Sequence, residues 1–89
     1  MERVAQEIII HNPQGLHARP AAIFVQIANK FDSSVKLEKD GEAVDGKSII
    51  AVLSLGASKG TKVVLIVEGE DSTDALNELR GFLEREDEV

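Results

Sequence analysis

His17 and Arg19 stand two residues apart in the segment QGLHARPAA, and they are the pair of side chains in this chain of 89 residues best suited to chemistry. An imidazole with its ordinary pKa of about 6.5 is mostly neutral at pH 7, and a neutral ring nitrogen is a competent nucleophile towards phosphorus. A guanidinium two residues on can hold phosphoryl oxygens in a planar fork. His17 and Arg19 therefore read as an acceptor and its charge clamp, a catalytic pair. The chain has no cysteine, which removes thiolate nucleophiles, disulfide frameworks and Cys-type zinc sites. The other histidine, His11, has neither a cysteine nor a third carboxylate ligand beside it, so it makes a poor zinc ligand. It reads as a strand-end surface residue without a role, and neither metal nor cofactor is expected.

Such a pair needs a fixed mount. Gly15 offers a tight turn and a helical pattern begins at Ala18, which puts His17 at or just before the first helical residue. Pro20 is tolerable in a first turn, although it biases Arg19 away from helical dihedrals. The unpartnered first-turn amides and the positive end of the helix dipole make the neighbourhood hospitable to an anion. Local physics by itself does not separate a phosphoryl acceptor from an ordinary surface histidine or cap.

The elements around this mount follow from the pattern of apolar residues. Residues 4–10, VAQEIII, are rich in β-branched side chains and stop at His11-Asn12-Pro13, a turn cluster, so a strand is expected. Ala21, Phe24, Val25, Ala28 and Phe31 then recur at helical spacing, flanked by Ile23 and Ile27. Residues 34–39 alternate as a half-buried strand, Asp40-Gly41 supplies a two-residue hairpin turn, and residues 42–45 return. Ser48 is a candidate N-cap for a two-turn helix that stops at Gly56. Residues 61–68, TKVVLIVE, form the most hydrophobic strand, expected at the sheet centre. Asp71 to Asp74 offer cap candidates for a last helix carrying Ala75, Leu76, Leu79, Phe82 and Leu83, and the acidic tail at 84–89 reads as frayed.

The order βαββαβα predicts an α+β fold: a two-layer, open-faced sandwich with a four-stranded, mostly antiparallel sheet and three helices on one face. Residues 1–89 suit a single domain. The net charge of −6 and three phenylalanines as the only aromatic residues leave no basic face or stacking platform for nucleic acid. No stretch is long and apolar enough to span a bilayer and no signal peptide is evident, so a soluble, cytoplasmic protein is expected; a monomer is expected as well. GASKG (56–60) lacks the spacing of a phosphate-binding P-loop and reads as a connection.

GLHARPA, together with a second segment VDGKSIIAVLSLGASKG at 44–60, resembles HPr, the histidine-containing phosphocarrier family of the bacterial phosphoenolpyruvate-dependent sugar phosphotransferase system. The resemblance runs the length of the chain. It implies that His17 is phosphorylated on Nδ1 by enzyme I and passes the group to IIA components of sugar permeases, with Arg19 as its adjacent arginine. The protein would then be no enzyme but a covalent carrier whose transfer chemistry is shared with its partners. It further implies that Ser48, a helix cap on local grounds, can be a regulatory phosphorylation site for HPr kinase/phosphorylase, the product then binding a catabolite-control regulator.

The apolar residues of the short helix exceed what one buried face needs. Ile49, Ile50 and Leu53, with Ala22 on the first helix, are therefore expected to form a docking patch around His17. Two other readings share the resemblance. One places the carrier in a nitrogen-related or dihydroxyacetone-kinase phosphorelay. The other is a regulatory binding module that acts only when Ser48 is phosphorylated, as in relatives that have lost the histidine. The presence of both His17 and Arg19 argues against the second.

Overall fold

The computed structural model describes residues 2–86. Seven elements follow in the order β1 (Arg3–Ile9), α1 (Ala18–Ala28), β2 (Ser34–Lys39), β3 (Glu42–Asp45), α2 (Ile49–Ser54), β4 (Lys62–Glu68) and α3 (Ser72–Leu83). The sheet order is β1-β4-β2-β3, and all three pairings are antiparallel. The most hydrophobic strand, β4, is central as expected, because it is the one that two neighbours can cover. Its residues alternate: Val63, Leu65 and Val67 are fully buried while Val64 and Ile66 are half-buried. This period of two places one sheet face under the helices and leaves the other to solvent, an open-faced sandwich.

The helices supply the second layer. Phe24 and Ala28 of α1, Val52 of α2, and Ala75, Leu79 and Leu83 of α3 join Ile8, Val35 and Leu37 of the strands in one core. The hairpin between β2 and β3 turns at Asp40 (φ 53°) and Gly41 (φ 83°); both central residues take positive φ, the geometry that twists with the strands and that Asp-Gly favours.

Two local readings differ from the structure. Helix α1 ends at Ala28, so Phe31, placed by spacing on the same face, reaches the core half-buried from the turn beyond it. Asp71 is the N-cap of α3 but makes no side-chain cap. Its carboxylate instead accepts the N–H groups of Asp32 and Ser33, each at 2.9 Å, and the Ser33 hydroxyl, bracing the α1–β2 connection. The tail is still hydrogen-bonded at Glu84 and Arg85, whose N–H groups donate to Arg80 and Phe82; residues 87–89 lie outside those described.

Candidate functional site

The chain reaches α1 through a tightly bonded turn. The side chain of Asn12 accepts the N–H of Gln14 at 2.9 Å, and its carbonyl accepts the N–H of Gly15, also at 2.9 Å. Gly15 takes φ +63° with its backbone pressed on the 57–58 connection: a Cβ there would lie 2.7 Å from the Ala57 oxygen and from the Ser58 Cα. Only glycine fits both the dihedral and the approach. Leu16 then donates its N–H to Ala57 at 2.8 Å and is buried.

His17 follows as the N-cap of α1, with extended dihedrals (φ −91°, ψ −166°) and no side-chain capping bond. Its carbonyl accepts the first intrahelical bond, from Ala21 at 2.8 Å. The first-turn amides lie N-terminal to that bond, where the helix itself offers no acceptor. The imidazole is therefore not consumed as a cap, and it is exposed. Arg19 is exposed in the same turn, while Pro20 is buried. The bias of Pro20 against a helical Arg19 is overridden, because the third helical position requires no intrahelical N–H and the ring packs inward.

A shallow depression of about 200 Å³ is lined by Gln14, Leu16, His17, Leu53, Gly56, Ala57 and Ser58. It brings the histidine segment and the end of α2 onto one surface. A larger concavity of about 550 Å³ lies at the other end of β4, lined by Asp32, Ser34, Glu68, Gly69, Glu70, Asp71 and Asp74. Its carboxylates would repel a phosphoryl group, so size does not make it the site.

Helix α2 is fixed at both ends. Ser48 caps it, its hydroxyl accepting the N–H of Ala51 at 3.3 Å. The Lys47 ammonium donates to the Phe31 carbonyl at 2.7 Å, and Lys39 donates to the carbonyls of Leu55 and Gly56 at 3.3 and 3.4 Å, neutralising the last turn. On this short helix Val52 is fully buried, Ile49 half-buried, Leu53 37% exposed and Ile50 73% exposed. Ala22 on α1 is half-buried. Asn12 and Lys39 were not singled out by sequence reasoning. Asn12-Pro13 signals a turn, within which the Asn12 side chain holds Gln14; the Lys39 contacts with Leu55 and Gly56 are distant in sequence and leave no local signal.

Among the described residues no group of three or more His, Asp or Glu is arranged to hold a metal ion, and no helix is long and apolar enough to cross a membrane.

A family model for the PTS HPr component phosphorylation site matches residues 4–85. The chain belongs to the HPr family. Within that family it is similar to the HPr-like protein Crh of Bacillus subtilis (strain 168), at 49% identity over 83 residues that cover 93% of this chain and 98% of the relative. A crystal structure of the phosphocarrier protein HPr from Bacillus anthracis str. Ames superposes with a TM-score of 0.90 at 37% identity, over 93% of this chain and 99% of that one. A crystal structure of Bacillus subtilis Crh matches with a TM-score of 0.76 at 48% identity, over 97% of this chain and 99% of that one. That Crh is described as an intertwined dimer with a swapped domain. The fold of this chain is thus the HPr phosphocarrier fold.

Proposed function

We propose that the protein is a phosphocarrier of the sugar phosphotransferase system in which His17 takes a phosphoryl group from phosphorylated enzyme I and hands it to IIA components. The observation that carries this reading is His17 itself: an exposed imidazole at the mouth of α1, not used as a cap, with Arg19 in the same turn. The ring nitrogen attacks phosphorus, and Arg19 with the first-turn amides and the helix dipole balances the added charge. Exposure suits a group that must meet a donor and then an acceptor. The partner supplies the other half of the in-line geometry, so the carrier has no turnover of its own. Ala22, Ile49, Ile50 and Leu53 serve as the docking patch in this reading. The carrier acts as a cytoplasmic monomer, each copy holding its own His17. The swapped dimer of Crh is the alternative that sedimentation would detect.

A second reading is favoured by the likeness to Crh, one of whose structures is described as that of a catabolite repression HPr. In it Ser48, at the start of α2, is phosphorylated by HPr kinase/phosphorylase and the protein acts with a catabolite-control regulator. A phosphate at Ser48 would place a charge of about −1.5 to −2 beside the apolar patch, favouring an Arg-lined partner over enzyme I. The two readings are compatible in one chain. Incubation with enzyme I and labelled phosphoenolpyruvate tests the first, through loss of label in His17→Ala. Incubation with HPr kinase and ATP tests the second, through loss in Ser48→Ala.

A further inference from the structure

Asn12 is one of three buried polar residues among those described, at 3% exposure, and the one that adjoins the His17 segment. The chain is anchored on both sides of it. Upstream, Ile10 donates to Thr61 at 3.0 Å and His11 to Leu83 at 3.1 Å; downstream, Leu16 donates to Ala57 at 2.8 Å. Between these anchors the turn is shaped by Asn12, whose side-chain oxygen holds Gln14 and whose carbonyl holds Gly15. An Asn side chain that accepts from the residue two positions on mimics a backbone turn and fixes the chain direction that follows. The Asn12 Nδ2 group, also buried, makes no hydrogen bond among the described residues. A side chain present only to fill space would not carry such a cost, so the acceptor oxygen is what the position uses.

We propose that Asn12 is a positioning residue for phosphoryl acceptance: its side-chain oxygen sets the 12–15 turn that delivers His17 to the mouth of α1. The inference rests on the phosphocarrier reading. In the step concerned, the P–N bond to the donor histidine breaks as a P–N bond to His17 forms. The donor imidazole leaves with its electron pair, and each ring keeps the proton on its other nitrogen. No further reactant is needed, so the rate depends on where the accepting nitrogen is held.

The test compares Asn12→Ala, which removes the acceptor, with Asn12→Asp, which keeps an acceptor oxygen while exchanging the unpartnered donor group for a second oxygen and a negative charge. Val63→Ala, a core change in β4, serves as the stability control. Single-turnover transfer from phosphorylated enzyme I is read below all thermal midpoints, alongside amide exchange of Gly15 and Leu16. Asn12→Ala should slow transfer by about 10- to 100-fold, whereas Asn12→Asp should stay within about threefold of wild type despite a lowered midpoint, and Val63→Ala should transfer normally. Wild-type transfer by Asn12→Ala, or equal slowing in both Asn12 variants, would overturn the proposal. If the wild type takes no label, the carrier reading itself fails. The turn is then judged by exchange alone: Gly15 and Leu16 protection must fall in Asn12→Ala and persist in Asn12→Asp, and unchanged protection in Asn12→Ala overturns it.

Discussion

The N–H of Leu16 donates to the carbonyl of Ala57 at 2.8 Å, tying the residue before His17 to the connection that follows α2. Two segments far apart in the chain meet at this bond. It is why the histidine and the exposed end of α2 share one surface, and why changes in the 56–60 connection should be felt at His17.

Gly15 lies directly beneath that contact. Alanine there would combine a φ of +63° with a Cβ 2.7 Å from the Ala57 oxygen. Gly15→Ala should destabilise the protein by about 1–3 kcal/mol and slow phosphoryl acceptance as well. Urea denaturation checks the first part. A variant within about 0.5 kcal/mol of wild type would show that the close approach is not required.

Much of this arrangement was legible from residue patterns. Asp40-Gly41 fixed the hairpin because few dipeptides accept two positive φ values, and the run KVVLIVE announced a strand with a neighbour on each edge. The surplus of apolar residues on α2 announced exposure, and Ile50 and Leu53 are the ones exposed. What patterns could not show were side chains acting across the fold. Asp71 is the N-cap by position yet its carboxylate braces Asp32 and Ser33, and Lys39, in the alternating strand β2, holds the carbonyls of Leu55 and Gly56 just past α2. These partners are distant in sequence, so no local periodicity encodes them.

The Asp71 brace has a pH signature. Hydrogen bonds from the Ser33 hydroxyl and the Asp32 N–H favour the carboxylate and hold its pKa below the ordinary 3.8. A folded-state pKa below the unfolded one gives stability that is complete above the unfolded value and lost as pH falls through the folded value. Wild type should therefore lose part of its stability below about pH 4, whereas Asp71→Ala should be weaker at neutral pH and less sensitive to acid. Urea midpoints measured from neutral pH downwards, in parallel, check this. Identical acid profiles would count against the brace.

Ile50 separates docking from folding. At 73% exposure it contributes little to the core, so Ile50→Ala should change stability by less than about 0.5 kcal/mol. If it docks enzyme I, the same change should weaken that complex by about 1–2 kcal/mol, roughly 5- to 30-fold in affinity. Calorimetry on both proteins gives the answer, and unchanged affinity would remove Ile50 from the docking patch.

The carrier claim is tested most directly by the chemistry of the labelled residue. Wild type and His17→Ala are incubated with enzyme I and labelled phosphoenolpyruvate, and the protein-bound phosphate is challenged with acid and with base. Wild type should carry one acid-labile, base-stable phosphate per chain, absent from His17→Ala. No label on wild type with its cognate enzyme I, or equal label on His17→Ala, would contradict it.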